Sequence, residues 1–152
     1  MSAFPEPHPK LRTLEPMVGR WRLHGRTDGA QEDDISGTIE LDWLPGGHFL
    51  RQHTLIDFAG MVQVDGIELV GYEPETDSLA SRVYSNVAPI PVPYHWALEG
   101  DELTIHMDAG ATMRATISAD GRSFRGRWAP DPGHENDAGM VAYEFAGSRL
   151  DR

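Results

Sequence analysis

The stretch Ile35-Ser-Gly-Thr-Ile-Glu-Leu-Asp-Trp-Leu44 decides the fold class. Ile35, Gly37, Ile39, Leu41 and Trp43 fall on one side, and Ser36, Thr38, Glu40 and Asp42 on the other. A period of two marks a β-strand with one face against a core and the other in water, so odd-numbered residues point inward here. The same alternation begins at Arg20 and runs to the end of the chain. It is punctuated by turn signals at Asp28-Gly29, Pro45-Gly46-Gly47, Ala59-Gly60, Glu73-Pro74, Glu99-Gly100-Asp101, Ala109-Gly110 and Asp120-Gly121. Between the turns lie strands at 49–57, 67–72, 79–87, 94–98, 102–107, 111–118, 123–128 and 140–149. With the two earlier ones this gives about nine or ten, of ordinary length. No segment between the turns has helical periodicity.

Three connections carry their own signals. Asp65-Gly66, after the Ala59-Gly60 tip, reads as a bulge. The run Ala88-Pro-Ile-Pro-Val-Pro93 reads as a stiff rim connection, since proline cannot donate to a ladder. Residues 131–139, rich in Gly and Asp, read as a mobile loop and as the natural seat of any gating motion. At the other end, prolines at 5, 7 and 9 keep residues 1–9 an extended arm. Leu11, Leu14 and Met17 then suit one short helical turn, limited by Pro16, that plugs one end of the structure. The expected architecture is all-β: a single up-and-down antiparallel barrel, with residues 1–152 forming one domain.

Composition narrows the function. The formal charge of −11 opposes duplex nucleic acid and anionic membrane surfaces as partners, leaving a small molecule as the expected one. There is no cysteine, so neither disulfides nor thiolate chemistry enter. Residues 1–10 lack the apolar stretch of a signal peptide, and no later run approaches the roughly 20 apolar residues of a membrane span. A cytoplasmic location follows as the expectation, and a homodimer stays open. The histidines at 8, 24, 48, 53, 95, 106 and 134 lack metal-site spacing, and Asp131, Glu135 and Asp137 beside His134 lack a calcium-loop pattern, so no metal is expected.

Several blocks taken in order carry a resemblance: Leu14-Glu-Pro-Met-Val-Gly-Arg-Trp21, with Gly25 beyond it, Pro45-Gly-Gly-His-Phe-Leu50, Ile67-Glu-Leu-Val-Gly-Tyr-Glu-Pro74, Tyr84-Ser85, Asp101-Glu-Leu-Thr-Ile105 and Asp120-Gly-Arg-Ser-Phe-Arg-Gly-Arg-Trp128. The chain resembles the calycin group of lipocalins, fatty-acid-binding proteins and nitrobindins. Within that group it is similar to uncharacterised bacterial proteins gathered under a domain of unknown function. The resemblance implies a barrel around a hollow and a small-molecule ligand, with no established activity. It also implies that Arg149, the sole arginine of the last strand, covers the Trp21 indole. Nitrobindin-like relatives bind haem, but 140–149 offers no histidine where they place an axial ligand. Haem is disfavoured and no cofactor is expected.

If odd positions also face inward in the strand after Trp43, then Phe49, Arg51, His53 and Leu55 enter the hollow. An enclosed guanidinium or imidazole needs a partner, and a ligand carboxylate could supply it. Tyr94, Trp96 and Leu98 share a face, and Trp128 flanks Gly126; rings at such positions stack a ligand or fill a core. The expected binding set is Trp43, Phe49, Arg51, His53, Leu55, Tyr94, Trp96 and Trp128. Its ligand would be mostly apolar with a polar or anionic end. The alternative is an isomerase, cyclase or hydrolase with His53 as general base, Arg51 stabilising an oxyanion and Tyr84 as acid. Tyr84 reads equally as an outer-face aromatic. A filled, purely structural barrel is the third reading.

Overall fold

A computed structural model describes residues 4–136 and 141–150. The chain enters through a short helix, α1 (Pro9–Arg12), and a single 3-10 turn over Glu15–Met17. Strands follow in the order β1 (Gly19–Thr27), β2 (Ile35–Trp43), β3 (Phe49–Phe58), β4 (Val62–Glu73), β5 (Ser78–Ser85), β6 (Val92–Glu99), β7 (Glu102–Met107), β8 (Ala111–Ile117), β9 (Ser123–Pro130) and β10 (Tyr143–Arg149). Each pairs antiparallel with its neighbours in sequence, and β1 also pairs with β10, so the sheet closes into a barrel. Met140, read from the sequence as the start of the last strand, lies outside the described residues, as does the 137–139 part of the expected gating loop.

The turn signals fall where strands reverse. Between β3 and β4, Ala59 and Gly60 both have positive φ, 56° and 69°, and the Met61 amide donates to the Phe58 carbonyl at 3.0 Å. Consecutive left-handed residues match the right-handed twist of a tight hairpin. The expected bulge at Asp65-Gly66 is absent: one register runs unbroken from Phe58 opposite Val62 to Phe49 opposite Gly71. β6 starts at Val92 rather than Tyr94. Pro93 fits because its carbonyl accepts from the Asp108 amide at 3.2 Å, and a carbonyl is all that proline offers a ladder.

Odd positions of β2 do face inward, with Ile35, Ile39 and Leu41 buried. In β3 the parity reverses, however. Trp43 pairs with Leu50 and Leu41 with Gln52, and directly opposed residues of an antiparallel pair share a face. The connection after Trp43 thus hands the inward face to even numbers, and Leu50, Gln52, Thr54 and Ile56 enter the barrel. The expectation that Phe49, Arg51, His53 and Leu55 point inside is wrong by one residue, and a slip of one inverts a whole strand.

One end of the barrel is sealed. Leu11, Leu14 and Met17 of the N-terminal segment are buried against it together with Trp21, whose indole Nε1 donates to the Met17 carbonyl at 3.0 Å. Arg149 lies over the Trp21 ring, 4.1 Å from its centroid. Its guanidinium donates to the carbonyls of Val18 at 2.6 Å, Pro16 at 2.9 Å and Gly121 at 3.1 Å. One planar cation thereby ties the entering segment, the β8–β9 turn and the last strand together.

Arg149→Ala is expected to cost about 2 to 4 kcal/mol, combining the lost cation–π contact with several charge-assisted bonds. Arg149→Lys should fall between, since an ammonium cannot reproduce the flat fork. Urea unfolding followed by tryptophan emission measures both. An alanine variant as stable as the parent would show that the cap contributes nothing.

Candidate ligand cavity

Above the sealed floor the lumen holds a cavity of about 270 Å³. Met17, Leu23 and Phe124 form its depth, Ile39, Ile56, Ile105, Met113 and Ala115 its sides, and Val87, Ala88 and Val92 its rim near the Pro-rich connection. These walls are apolar because inward positions of a closed barrel face only one another. Polar groups are few: Gln52, Thr54, Glu68, Ser85, Tyr94, Tyr143 and the indoles of Trp96 and Trp128.

Glu68 is the exception that defines the place. It occupies an inward position of β4, opposite Gln52 of β3, and is only 6% exposed. Four successive strands contribute to its setting. Gln52 Nε2 donates to Glu68 Oε1 at 3.2 Å, while Ser81 Oγ of β5 and Trp96 Nε1 of β6 donate to Oε2 at 2.6 Å and 2.7 Å. Among the described residues no arginine, lysine or histidine lines the cavity. Burial pushes the Glu68 carboxyl up from the usual range, and the bonds from Ser81 and Trp96 pull the other way.

Two hydroxyls share the space. Burial, aided by the charge of Glu68, pushes Tyr94 up to about 12, and burial also raises Tyr143, so both phenols stay neutral. Among the described residues neither hydroxyl has a hydrogen-bond partner. No buried side-chain polar atom there is left unsatisfied, so both hydroxyls reach open space. Edge-to-face contacts with Trp128 at 5.9 Å for Tyr94 and Phe58 at 5.2 Å for Tyr143 set the ring positions.

Of the residues the sequence singled out, Tyr94, Trp96 and Trp128 line the cavity. Trp43 sits instead at the closed end, donating from Nε1 to Glu15 Oε2 at 2.9 Å beneath the Arg12 guanidinium. Phe49 and Leu55 are on the outer surface, 49% and 37% exposed, and the Phe49 ring lies across Gly71. Arg51 is outside too, bonded to both carboxylate oxygens of Asp42 at 2.9 Å and 3.0 Å and to Glu40 at 3.2 Å. His53 meets Asp65 at 2.9 Å on the same outer face. Tyr84, 52% exposed, projects outward from β5. The reaction centre expected from His53, Arg51 and Tyr84 therefore has none of its residues in the lumen.

Sequence reasoning missed Glu68, Gln52 and Tyr143. The missed signal was the spacing Val64-x-Gly66-x-Glu68-x-Val70-x-Tyr72, an even-numbered inward row hidden by the equally apolar Ile67 and Leu69. On the outer wall, His95 and His106 face each other across β6 and β7, each with its own aspartate, Asp108 at 2.9 Å and Asp131 at 3.6 Å. No group of three metal-ligating side chains assembles among the described residues.

Glu68 holds its proton more readily when folded than when unfolded. Stability present at low pH is therefore lost as pH rises above the ordinary glutamate value of 4.5 toward the raised native one. Paired urea denaturation of the parent and Glu68→Gln, between about pH 4 and pH 8, should show the gap moving in favour of the glutamine variant as pH rises. A gap independent of pH would mean that the carboxyl is not perturbed.

Among the described residues no helix is long and apolar enough to cross a membrane. No curated protein matches the chain. The family model described as protein of unknown function DUF1579 matches residues 6–120, from the N-terminal arm through β8 and including the strands that carry Gln52, Glu68, Ser81 and Trp96. The match spans well over half of the chain, which thus belongs to the DUF1579 family.

Proposed function

We propose that this protein is a calycin-like binder of a small, mostly apolar molecule, held in the lumen with its polar end at Glu68 and Gln52. One observation carries the reading: an apolar cavity sealed at one end and furnished, among the described residues, with a single buried carboxyl and two unpartnered phenols. Pockets for small ligands take this form, with apolar walls and a few polar groups that orient the guest. The anionic end considered from the sequence has lost its basis, because Arg51 faces water with its own carboxylates.

Titration with N-phenylnaphthylamine, a neutral apolar dye, tests this. Dye emission should rise and tryptophan emission fall as it enters beside Trp96 and Trp128. Thr54→Phe places a ring in the lumen opposite Gly66 and should weaken dye binding by about tenfold or more, equivalent to ~1.4 kcal/mol. Arg51→Ala, altered on the outer wall, should bind like the parent. A dye that binds Thr54→Phe and the parent equally would place the binding elsewhere and refute the lumen.

A further inference from the structure

The lumen carries a sign as well as apolar walls. Among the described residues, Glu68 is the only carboxylate on the cavity wall, and no cationic side chain lines it. The two donors on Oε2, Ser81 and Trp96, are spent there, whereas Oε1 accepts only the longer bond from Gln52. A carboxylate oxygen has room for a second donor. Beside it stand the amide oxygen of Gln52, which accepts, and the hydroxyls of Thr54, Ser85, Tyr94 and Tyr143, each of which can accept or donate. Two tryptophans on this wall carry donor-only indole N–H groups, and that of Trp96 is already used on Oε2.

Resting on the lumen reading above, we propose that the ligand is an apolar organic amine, bound as its ammonium ion to Glu68 Oε1 with Tyr94 and Gln52 accepting alongside. An ammonium carries three donors and no acceptor, which complements the open side of Glu68 Oε1 and the Gln52 amide oxygen. It also supplies the opposite charge that a buried carboxylate lacks. The rings of Tyr94, Trp96 and Trp128 around the lumen suit a cation, whose attraction to aromatic faces grows where water is excluded. A carboxylate ligand would meet Glu68 as a like charge. An alcohol would satisfy one acceptor and leave the charge uncompensated.

The test compares phenethylamine, phenethyl alcohol and phenylacetate as displacers of N-phenylnaphthylamine, with the parent and with Glu68→Gln. Glutamine keeps an oxygen for Ser81 and Trp96, and removes the charge while turning the Oε1 acceptor into an amide donor. The amine should bind the parent about ten- to a hundredfold more tightly than the alcohol, as expected of a charge-assisted bond, and phenylacetate should be weakest. In Glu68→Gln the amine should lose its advantage over the alcohol.

The amine's advantage should also shrink as pH falls and Glu68 takes up its proton. Tyr94 and Tyr143, the other titratable groups on the cavity wall, remain neutral throughout. Displacement by amine and alcohol with equal affinity, or an advantage that survives in Glu68→Gln, overturns the amine and leaves the lumen reading standing. A dye that binds but yields to none of the three also overturns it. A dye that does not bind the parent overturns both.

Discussion

β1 has two neighbours, and the rest of the molecule depends on that double pairing. Trp21 lies opposite Ile39 of β2 on one side and Arg149 of β10 on the other. Closure leaves no strand edge to template aggregation, and it forces every inward side chain to share one enclosed volume. Crowding near the floor is relieved by leaving side chains out. A Cβ at Gly147 would stand 2.2 Å from the Phe124 ring, and one at Gly126 would stand 2.7 Å from the Phe145 ring. With those two positions bare, Phe124 packs against Trp21 at 4.9 Å and against Phe145 at 6.0 Å. The aromatic floor thus follows from closure as much as from hydrophobicity.

Glu68 runs against the same logic. A carboxyl inside a closed apolar wall loses its hydration, and the donors from β3, β5 and β6 offset only part of that loss. A leucine would fill the position without that cost. A group kept in an unfavourable setting, and supported by a chain of specific donors, is better explained by an encounter with something in the cavity than by the stability of the barrel.

The strand count, the turns and the cap were legible in the sequence because each rests on local chemistry. Asp28-Gly29 and Ala59-Gly60 reverse the chain through left-handed backbone, and the β2 alternation between Ile35 and Trp43 is clean. The binding wall was less legible, for one reason. Inward parity passes from strand to strand through turns whose residue count sets the register, and the turn after Trp43 shifts it by one. In β3 both faces carry large side chains, Phe49 and Leu55 outside and Leu50 and Ile56 inside, so hydropathy could not arbitrate. Arg51 and His53 drew attention as charges in a supposed interior, while the true interior charge, flanked by Ile67 and Leu69, looked like an ordinary outward residue.

The Arg149 clasp has a kinetic consequence. With Pro16, Val18 and Gly121 drawn onto one guanidinium above the Trp21 ring, the lower end is closed to a guest. Entry and exit must use the same passage. If the lumen binds as proposed, an occupant cannot be pushed out from behind by its successor, so exchange would proceed through an empty barrel at a rate set by departure alone.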